Sequence, residues 1–482
     1  MNFQRGQSSG YLRVGKYLLP HSPPLLILPL VCAVSLLATA HGSTFLDPLL
    51  EPSTTQFGRA IASMGDITGD GVPDFAVTAP YQDGDFVSIV MGFGLPQNVG
   101  KVFILNGATF ATINVLNDPE FELIQSQHFG GQLGASVSVS ADINGDGIPD
   151  VVAGVPHHIT EPDTFDEVNQ AGKALVFSGA DGSLLFTLDD PTAEEDGRMG
   201  TAVAALGDVN SDGKADFAVS VPGKDIGGED GVPNVGLVYI FSGKDGSVIR
   251  TLNDPPRGGD EAGALFGSAL ANAGDVDSDG TTDLAVGAPG EGRVYVFSGK
   301  TGSLLYSIIS PTNDAIPSFG AAVGGGQDYN KDRKPDILVG APSASSSRGA
   351  AYIYNGLNGV LIRKLKSPVA RQINAKFGAA IYASTDISGD RRADVIVGAP
   401  GVIVNGLEGA GEAFVFNGVN GRLFSTLKSS TPQAHAGFGQ ALTSAVFPPN
   451  TVATPVVGVP YQDTVGPDTV THLQAGQIEI IQ

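Results

Sequence analysis

The strongest constraint on this 482-residue chain is a unit that recurs seven times along the sequence. Each unit begins with a Phe-Gly pair or its equivalent and has an apolar run that ends in Ala-Pro or Val-Pro; in the first six units an Asp-rich loop stands between them, about nine residues after the pair. The loops start at positions 66, 142, 208, 275, 328 and 386, which gives a repeat of 53 to 76 residues. The pairs start at Phe57, Phe129, Phe266, Phe319, Phe377 and Phe438, with Met199-Gly200 in the remaining place. A period of this kind is typical of repeat architectures.

Each of the first six units contains four short runs with the composition of β-strands, and the seventh contains three. FAVSV and VYIFSG, for example, are β-branched and aromatic and have no helical period. Seven units on this four-stranded plan predict an all-β fold, a single seven-bladed β-propeller. A β-helix has far shorter turns, and a WD-type propeller needs a Trp, which this chain lacks. The predicted blades cover approximately residues 56–117, 128–190, 198–253, 265–309, 318–366, 376–428 and 437–482.

The last unit lacks a fourth strand, and the sequence contains a candidate to supply it. Unit seven ends in GQIEIIQ (476–482), which matches a third strand. The segment HGSTFLDP (41–48) resembles the fourth-strand segments GSLLFTLDDP (182–191) and GSVIRTLNDP (246–255). We therefore expect Ser43–Leu46 to pair with Gln477–Ile481 and to close the ring, so that two open strand edges cover each other.

The N-terminal 40 residues are predicted to be a secretory signal peptide. Arg5, Arg13 and Lys16 precede an apolar run, Leu25–Ala40, which is short for a membrane span and ends in Ala-Thr-Ala. Cleavage near Ala40 would leave 41–482 as a secreted or cell-surface protein without membrane insertion. An uncleaved anchor helix is the alternative. The only Cys is Cys32, so residues 41–482 cannot form a disulfide bond.

The formal net charge is −23, and this acidity limits the classes of partner. Such a chain repels phosphate backbones, which makes nucleic acid an unfavourable partner and favours cations or basic surfaces.

The Asp-rich loops have the pattern of calcium loops. In DINGDGIPD (142–150), oxygen-bearing side chains alternate, and a Gly permits a sharp turn. An EF-hand is excluded because the twelfth position is Ala153 and the flanks are strand-like. A metal-free hairpin held by Asx turns is the alternative. Unit seven has no carboxylate in Ala445–Pro455. We predict up to six structural Ca²⁺ ions, bound by side chains and, at the seventh position, by a backbone carbonyl: Asp66, Thr68, Asp70, Val72, Asp74; Asp142, Asn144, Asp146, Ile148, Asp150; Asp208, Asn210, Asp212, Lys214, Asp216; Asp275, Asp277, Asp279, Thr281, Asp283; Asp328, Asn330, Asp332, Lys334, Asp336; Asp386, Ser388, Asp390, Arg392 and Asp394.

The combination of Phe-Gly, Asp loop and Gly-Ala-Pro resembles the FG-GAP repeats of integrin α-subunit propellers and of their bacterial secreted relatives. Gly287-Ala288-Pro289, Gly340-Ala341-Pro342 and Gly398-Ala399-Pro400 match the last part to the letter. The resemblance covers essentially 41–482 and implies calcium in the loops on one face, with cell adhesion or ligand binding on the other. The sequence departs from integrin α subunits because its Asp loops fill the first six units rather than the later ones.

The connections between second and third strands are the candidate ligand-binding loops. They are long in units seven, one, two and three, which are neighbours in a closed ring, and short in unit four. Long loops are a common location of function, although solvated loop decoration is the alternative. The candidate contact residues for a protein or glycan ligand are Tyr81, Asp83, Phe86, His157, His158, Phe165, Asp225, Tyr461 and Asp463.

Other function classes remain open on the sequence alone. No catalytic motif is present, so no enzyme activity is predicted; His157-His158 near Asp163, Asp166 and Glu167 is the one cluster that could perform acid/base chemistry. A lectin-like propeller, a polysaccharide- or phosphoester-active enzyme, and a structural surface component are the alternatives to adhesion.

Overall fold

The computed structural model describes residues 43–46, 55–83, 98–120, 130–159, 168–227, 231–255, 262–311, 318–369, 371–465, 471–472 and 475–481. They form seven four-stranded antiparallel sheets, as expected for a seven-bladed β-propeller. The predicted signal peptide, Phe86 and Phe165 lie outside these ranges.

In the first six blades the strands follow one another in chain order, from the innermost to the outermost. Strand β1, Ser43–Leu46, comes first in the chain and belongs to the last blade. The strands of blades one to three are β2 (Ile61–Gly65), β3 (Asp74–Ala79), β4 (Lys101–Leu105) and β5 (Thr112–Leu116); β6 (Val137–Val139), β7 (Val151–Val155), β8 (Lys173–Phe177) and β9 (Leu184–Asp189); β10 (Val203–Ala205), β11 (Phe217–Val221), β12 (Leu237–Phe241) and β13 (Val248–Asn253).

Blades four to six repeat the arrangement. Their strands are β14 (Ala269–Gly274), β15 (Asp283–Ala288), β16 (Arg293–Phe297) and β17 (Leu304–Ile309); β18 (Ala322–Gln327), β19 (Asp336–Ala341), β20 (Ala350–Tyr354) and β21 (Leu361–Leu365); β22 (Ala380–Ser384), β23 (Asp394–Ala399), β24 (Glu412–Asn417) and β25 (Leu423–Leu427). The one helical element in the described ranges is a single turn, α1 (Ala344–Ser347), between β19 and β20.

Blade seven has the sheet order β1-β30-β27-β26, with β26 (Ala441–Ala445), β27 (Thr454–Val459) and β30 (Gln477–Ile480). Strand β1 is antiparallel to β30 and pairs Ser43 with Ile480 and Leu46 with Gln477. The predicted closing strand is therefore confirmed. Two short strands in the connection between β27 and β30, β28 (Thr464–Val465) and β29 (Thr471–His472), pair with each other.

The core is divided among the junctions between blades. Seven clusters of buried side chains each combine residues of two neighbouring blades. The cluster between blades seven and one, for example, contains Ile478 and Ile480 together with Phe57, Phe75 and Phe103. Each of these side chains is at most 3% exposed, so each blade depends on its neighbours for burial of its faces.

The recurring glycines permit close backbone contact across these junctions. A Cβ on Gly154, at the end of β7, would lie 1.8 Å from the carbonyl oxygen of Gly200 in the next blade. A Cβ on Gly340 would lie 2.1 Å from the oxygen of Gly378, again in the next blade. Gly200 and Gly378 have φ of +87° and +89°, a region that glycine adopts readily. The Phe-Gly and Gly-Ala-Pro motifs are thus two sides of one contact between neighbouring blades.

One part of the repeat assignment is wrong. In blade two the sequence analysis placed the Phe-Gly pair at Phe129, whereas the structure gives that place to Leu133-Gly134. Leu133 is fully buried and bridges Gly100 of blade one, as Met199 bridges Gly172 at the next junction. Leu133 stands nine residues before Asp142, the spacing of every other unit, whereas Phe129 stands thirteen before it. Spacing, rather than the letters Phe-Gly, identifies the motif.

Candidate metal centre and opposite face

The antiparallel order of each blade separates two ends of the sheet. The loops between first and second strands and the turns between third and fourth strands lie at one end, which we call the loop end. The connections between second and third strands lie at the other, which we call the connection end. All six Asp-rich loops are at the loop end, and each joins the first strand of a blade to the second.

The ninth-position Asp organises each loop. These six side chains are fully buried at the start of the second strand: Asp74, Asp150, Asp216, Asp283, Asp336 and Asp394. In the second blade, Ile143 N donates to Asp150 Oδ2 at 2.8 Å, and Gly179 N donates to Asp150 Oδ1 at 3.1 Å. Since Gly179 lies in the turn between β8 and β9, one carboxylate fixes both the loop and the adjacent turn. The fourth blade repeats these bonds from Val276 N and Gly299 N to Asp283.

The first- and fifth-position carboxylates complete the loop. Asp142 accepts hydrogen bonds from the backbone N–H groups of Gly145, Asp146 and Gly147. The fifth-position Asp146 accepts from Ile148 N at 2.8 Å and from the hydroxyl of Ser178, in the adjacent turn, at 3.0 Å. A Ser or Asn occupies the place of Ser178 in each of the six blades: Asn106, Ser178, Ser242, Ser298, Asn355 and Asn417. The sequence prediction missed this recurrence, although each of these residues stands immediately before a Gly, after the third apolar run of its unit.

The fourth loop brings its carboxylates closest together. Oxygen atoms of Asp275, Asp277 and Asp283 all lie within 4.8 Å of one another. Burial raises the pKa of Asp283 to about 6, and the charge of Asp277 contributes to the rise. Burial likewise raises the pKa of Asp336 to about 6. Repulsion between such carboxylates and their loss of hydration both oppose the fully charged loop, and a bound cation would offset them.

The donor chemistry fits calcium. Each loop offers side-chain oxygens at positions one, three, five and nine and a backbone carbonyl at position seven, which together make a hard, all-oxygen set. In loops two, three and five the third residue is an Asn whose Nδ2 donates to the fifth-position Asp, at 2.7 Å in the pair Asn144 and Asp146. Its Oδ1 accepts from the backbone N–H of the same Asp at 2.9 Å. Blade seven has Thr454 at the ninth position, and no carboxylate stands in Ala445–Pro455.

At the connection end, Tyr81 and Tyr461 occupy equivalent places in neighbouring blades one and seven. Each is half-buried, and each donates its backbone N–H at 3.2 Å to the segment that precedes the first strand of its own blade. The following residues, Gln82 and Gln462, are 1% exposed and anchor the loops. The repeated Tyr-Gln-Asp therefore presents two tyrosines on a common framework.

Other predicted contact residues have structural partners. Asp83 Oδ1 accepts from Asn98 N at 3.0 Å, and Asp225 Oδ1 accepts from Asn234 N at 2.7 Å, so both tie the bases of their loops. His157 Nδ1 lies 2.7 Å from Gln170 Oε1. Asp463 is half-buried, and its backbone N–H donates to Gln433 Oε1.

His158 belongs to a buried charged cluster rather than to the surface. It is 6% exposed, and its Nε2 lies 3.5 Å from Glu120 Oε2. The same oxygen lies 2.6 Å from Lys173 Nζ, which also lies 3.1 Å from Asp118 Oδ2. Burial, aided by the Lys173 ammonium, lowers the pKa of His158 to about 4, so the ring is neutral at neutral pH. We call Asp118, Glu120, His158 and Lys173 the lysine cluster; it joins blades one and two.

Comparison with known proteins now identifies the repeat. The FG-GAP repeat family matches residues 57–105, 133–177, 199–241, 266–297 and 319–354. The chain contains FG-GAP repeats. The second match begins at Leu133, in agreement with the structure and not with Phe129. The same contacts recur at Phe377-Gly378 and Phe438-Gly439, so the geometry of the FG-GAP repeat continues through blades six and seven.

The chain is homologous to integrin alpha subunits. It is 34% identical to mouse integrin alpha-2 over 187 residues, which are 35% of this chain and 16% of the relative. It is 34% identical to chicken integrin alpha-V over 223 residues (43% and 20%) and 30% identical to integrin alpha pat-2 of Caenorhabditis briggsae over 269 residues (50% and 20%). The matches thus span a fifth or less of the length of these relatives. Among the residues that the structure describes, no helix is long enough and apolar enough to span a bilayer.

Proposed function

We propose that the chain is a secreted calcium-binding propeller that acts as a ligand-binding or adhesion module. Calcium is its structural ion, and a ligand contacts the connection end. The observation that carries the proposal is the difference between the two ends of the propeller. The loop end repeats one carboxylate-lined geometry in six blades, whereas the connection end differs from blade to blade.

Calcium would be held by the five oxygen donors of each loop. In the fourth blade these are Asp275, Asp277, Asp279 and Asp283 with the Thr281 carbonyl. The ion would neutralise carboxylates that already lie around the buried ninth-position Asp. It would thereby stabilise the junction between the loop and the adjacent turn. The same geometry at successive junctions supports a stiffening role rather than a sensor role.

Calcium binding is tested by thermal unfolding and by titration calorimetry. We expect EDTA to lower the melting temperature, added calcium to restore it, and the chelated protein to bind up to six ions. Asp279→Ala, which removes the fifth-position carboxylate that all six loops share, should weaken or remove one of these ions. Thr454→Asn in blade seven, which has no acidic loop, is the matched control and should leave the stoichiometry unchanged. Identical melting curves in EDTA and in calcium would contradict the proposal.

The ligand-binding end is tested with protein and glycan arrays probed in calcium. Tyr81→Ala with Tyr461→Ala should abolish binding and leave the melting temperature near that of the parent, since both rings are only half-buried. Leu304→Ala, an exposed change at the loop end, is the control and should retain binding. Signals on proteins favour adhesion, whereas signals confined to sugars would favour the lectin-like alternative. Equal binding by the double variant and the parent would refute the assignment of this end.

Secretion is tested separately. We expect N-terminal sequencing of the exported protein to begin near His41, because Ala38-Thr39-Ala40 has the small residues that a signal peptidase requires. Retention of Leu25–Ala40 in the exported protein would instead support the anchor alternative.

A further inference from the structure

Positive charge is concentrated in two adjacent blades. Residues 318–428, which form blades five and six, contain 13 Lys and Arg against 8 Asp and Glu. Residues 41–317 and 429–482 together contain 11 Lys and Arg against 42 Asp and Glu. The chain is therefore strongly dipolar: a sector of net charge +5 stands beside a remainder of −31. Since charges are screened over about 8 Å at physiological ionic strength, a partner meets these regions separately.

Part of this charge lies at the loop end of the two blades. Its cations are exposed and come from the Asp loops of blades five and six and from one turn: Lys331, Arg333, Arg391, Arg392 and Arg422. Arg363 of blade five donates from Nη1 to Asn420 O at 2.9 Å and from Nη2 to Val419 O at 2.7 Å, which ties the two blades together at this place. We call the five exposed cations, together with the exposed apolar residues Leu357, Val360 and Phe424, the basic edge.

Three of the cations occupy backbone conformations that favour glycine. Lys331, Arg333 and Arg391 have φ of +70°, +72° and +65°. The first four loops have Gly at the place of Arg333 and Arg391, and two of them have Gly at the place of Lys331. A side chain in the left-handed region is strained. In the described part of the chain none of the three forms an ion pair, so neutralisation of the neighbouring carboxylates does not account for them. Backbone strain at side chains that form no ion pair within the protein indicates that these side chains contact another molecule.

Exposed apolar side chains also lie at the loop end of these two blades. Leu357 and Val360, in the turn of blade five, are 55% and 61% exposed, and Phe424 on the outer strand of blade six is 52% exposed. The corresponding turn of blade three has Lys244 and Ser247 at the places of Leu357 and Val360. Arginine combined with exposed apolar residues is the composition of a protein interface rather than of a solvated surface.

We propose that the basic edge binds the acidic surface of a second copy of this chain. The charge complement is present in the same sequence, because the remaining blades carry the excess of 31 negative charges. The two surfaces differ, so the contact is heterologous: one copy contributes its basic edge and the next its acidic side. Such a contact leaves a free basic edge on one copy and a free acidic side on the other, and the assembly grows with concentration unless it closes into a ring.

Sedimentation velocity of the full chain tests this proposal. At low ionic strength the weight-average sedimentation coefficient should rise with concentration, and it should return to the monomer value at high salt. Arg333→Glu with Arg391→Glu should abolish the rise. Lys244→Glu with Lys300→Glu makes the same charge change at exposed positions of the loop end in blades three and four, and it should retain most of the association.

The variants need a check on folding, which far-UV circular dichroism and the melting temperature supply. Arg333→Gly with Arg391→Gly, which suits the backbone better than the parent residues, should also lose association while remaining folded. A monomer at every concentration would overturn the proposal, and so would association that both Arg variants retain. Binding of a monomeric parent to heparin or to phosphatidylserine vesicles, lost in the Arg variants, would assign the edge to another polyanion and overturn the second-copy partner.

Discussion

Lys173→Met tests whether the lysine cluster holds blades one and two together. The side chain of Lys173 is 1% exposed and that of Asp118 is 0% exposed, so the substitution leaves a carboxylate inside the junction without its cation. Glu120 is 51% exposed and keeps its hydration, so its contribution to the loss is small. Breaking a buried ion pair in this way typically costs about 3–5 kcal/mol.

The proton chemistry of Asp118 limits the magnitude. The Asp118 carboxylate can become neutral by binding a proton. For a carboxyl with the ordinary pKa of 3.8, protonation at pH 7 costs ~4 kcal/mol, at 1.36 kcal/mol for each pH unit above the pKa. Burial already raises the pKa of Asp118, which reduces that cost. We therefore expect Lys173→Met to lose about 3–4 kcal/mol at pH 7. At pH 5 the same reasoning limits the loss to ~1.5 kcal/mol, so the deficit shrinks as the pH falls.

Urea unfolding followed by far-UV circular dichroism measures the effect, since the chain has no Trp for fluorescence. Asp118→Asn in the Lys173→Met background should recover most of the loss, because it removes the charge and keeps an acceptor for the Glu120 N–H. Arg198→Met is the matched control: the side chains of Arg198 and of its partner Asp196 are 50% and 53% exposed, so its loss should stay below about 1 kcal/mol. A Lys173→Met loss as small as that of the control at pH 7, or one independent of pH, would refute the reasoning.

Three further predictions concern other parts of the fold. Gly154→Ala, whose methyl group would lie 1.8 Å from a carbonyl oxygen, should destabilise the protein by several kcal/mol, whereas Gly324→Ala, with no contact below 3.5 Å, should cost about 1 kcal/mol or less in urea unfolding. The pKa of His158 is lowered to about 4, so the stability that its neutral ring contributes is present above pH 6.5 and is lost as the pH falls from 6.5 to 4. His158→Gln should therefore reduce the pH dependence of the melting temperature over that window. An unchanged pH profile would contradict this. Arg333→Gly and Arg391→Gly should each raise the stability of the monomer by about 1 kcal/mol through relief of left-handed strain, and a loss of stability in either would contradict the proposed cost.

The blade architecture could be predicted because its requirements are local and recur. The motif glycines, the Asp loops and the alternating strands stand at similar spacings in successive units, and the closing strand resembles the other fourth strands. The error at Phe129 has the same origin. A Phe-Gly pair satisfies the letters but not the nine-residue distance to Asp142, and the buried Leu133 satisfies the distance.

The lysine cluster could not be predicted from the sequence. Asp118 and Lys173 are 55 residues apart and belong to different blades, so their contact depends on the relative placement of two sheets. His158 was expected on the surface because it follows a second strand, and the burial of that position becomes apparent only when blade one packs against it. The calcium loops remain a prediction that the donor geometry supports, and Phe86 and Phe165 remain outside the described residues.

The strand that completes blade seven has a consequence for the order of folding. Its pairing of Ser43 with Ile480 joins positions near opposite ends of the sequence, so that contact carries the largest loop-closure entropy of any strand pair in the ring. During synthesis, all the strands of blades one to six are made before β30, so β1 remains unpaired until β30 has been made. We therefore expect the pairing of β1 with β30 to be the last step in closing the ring.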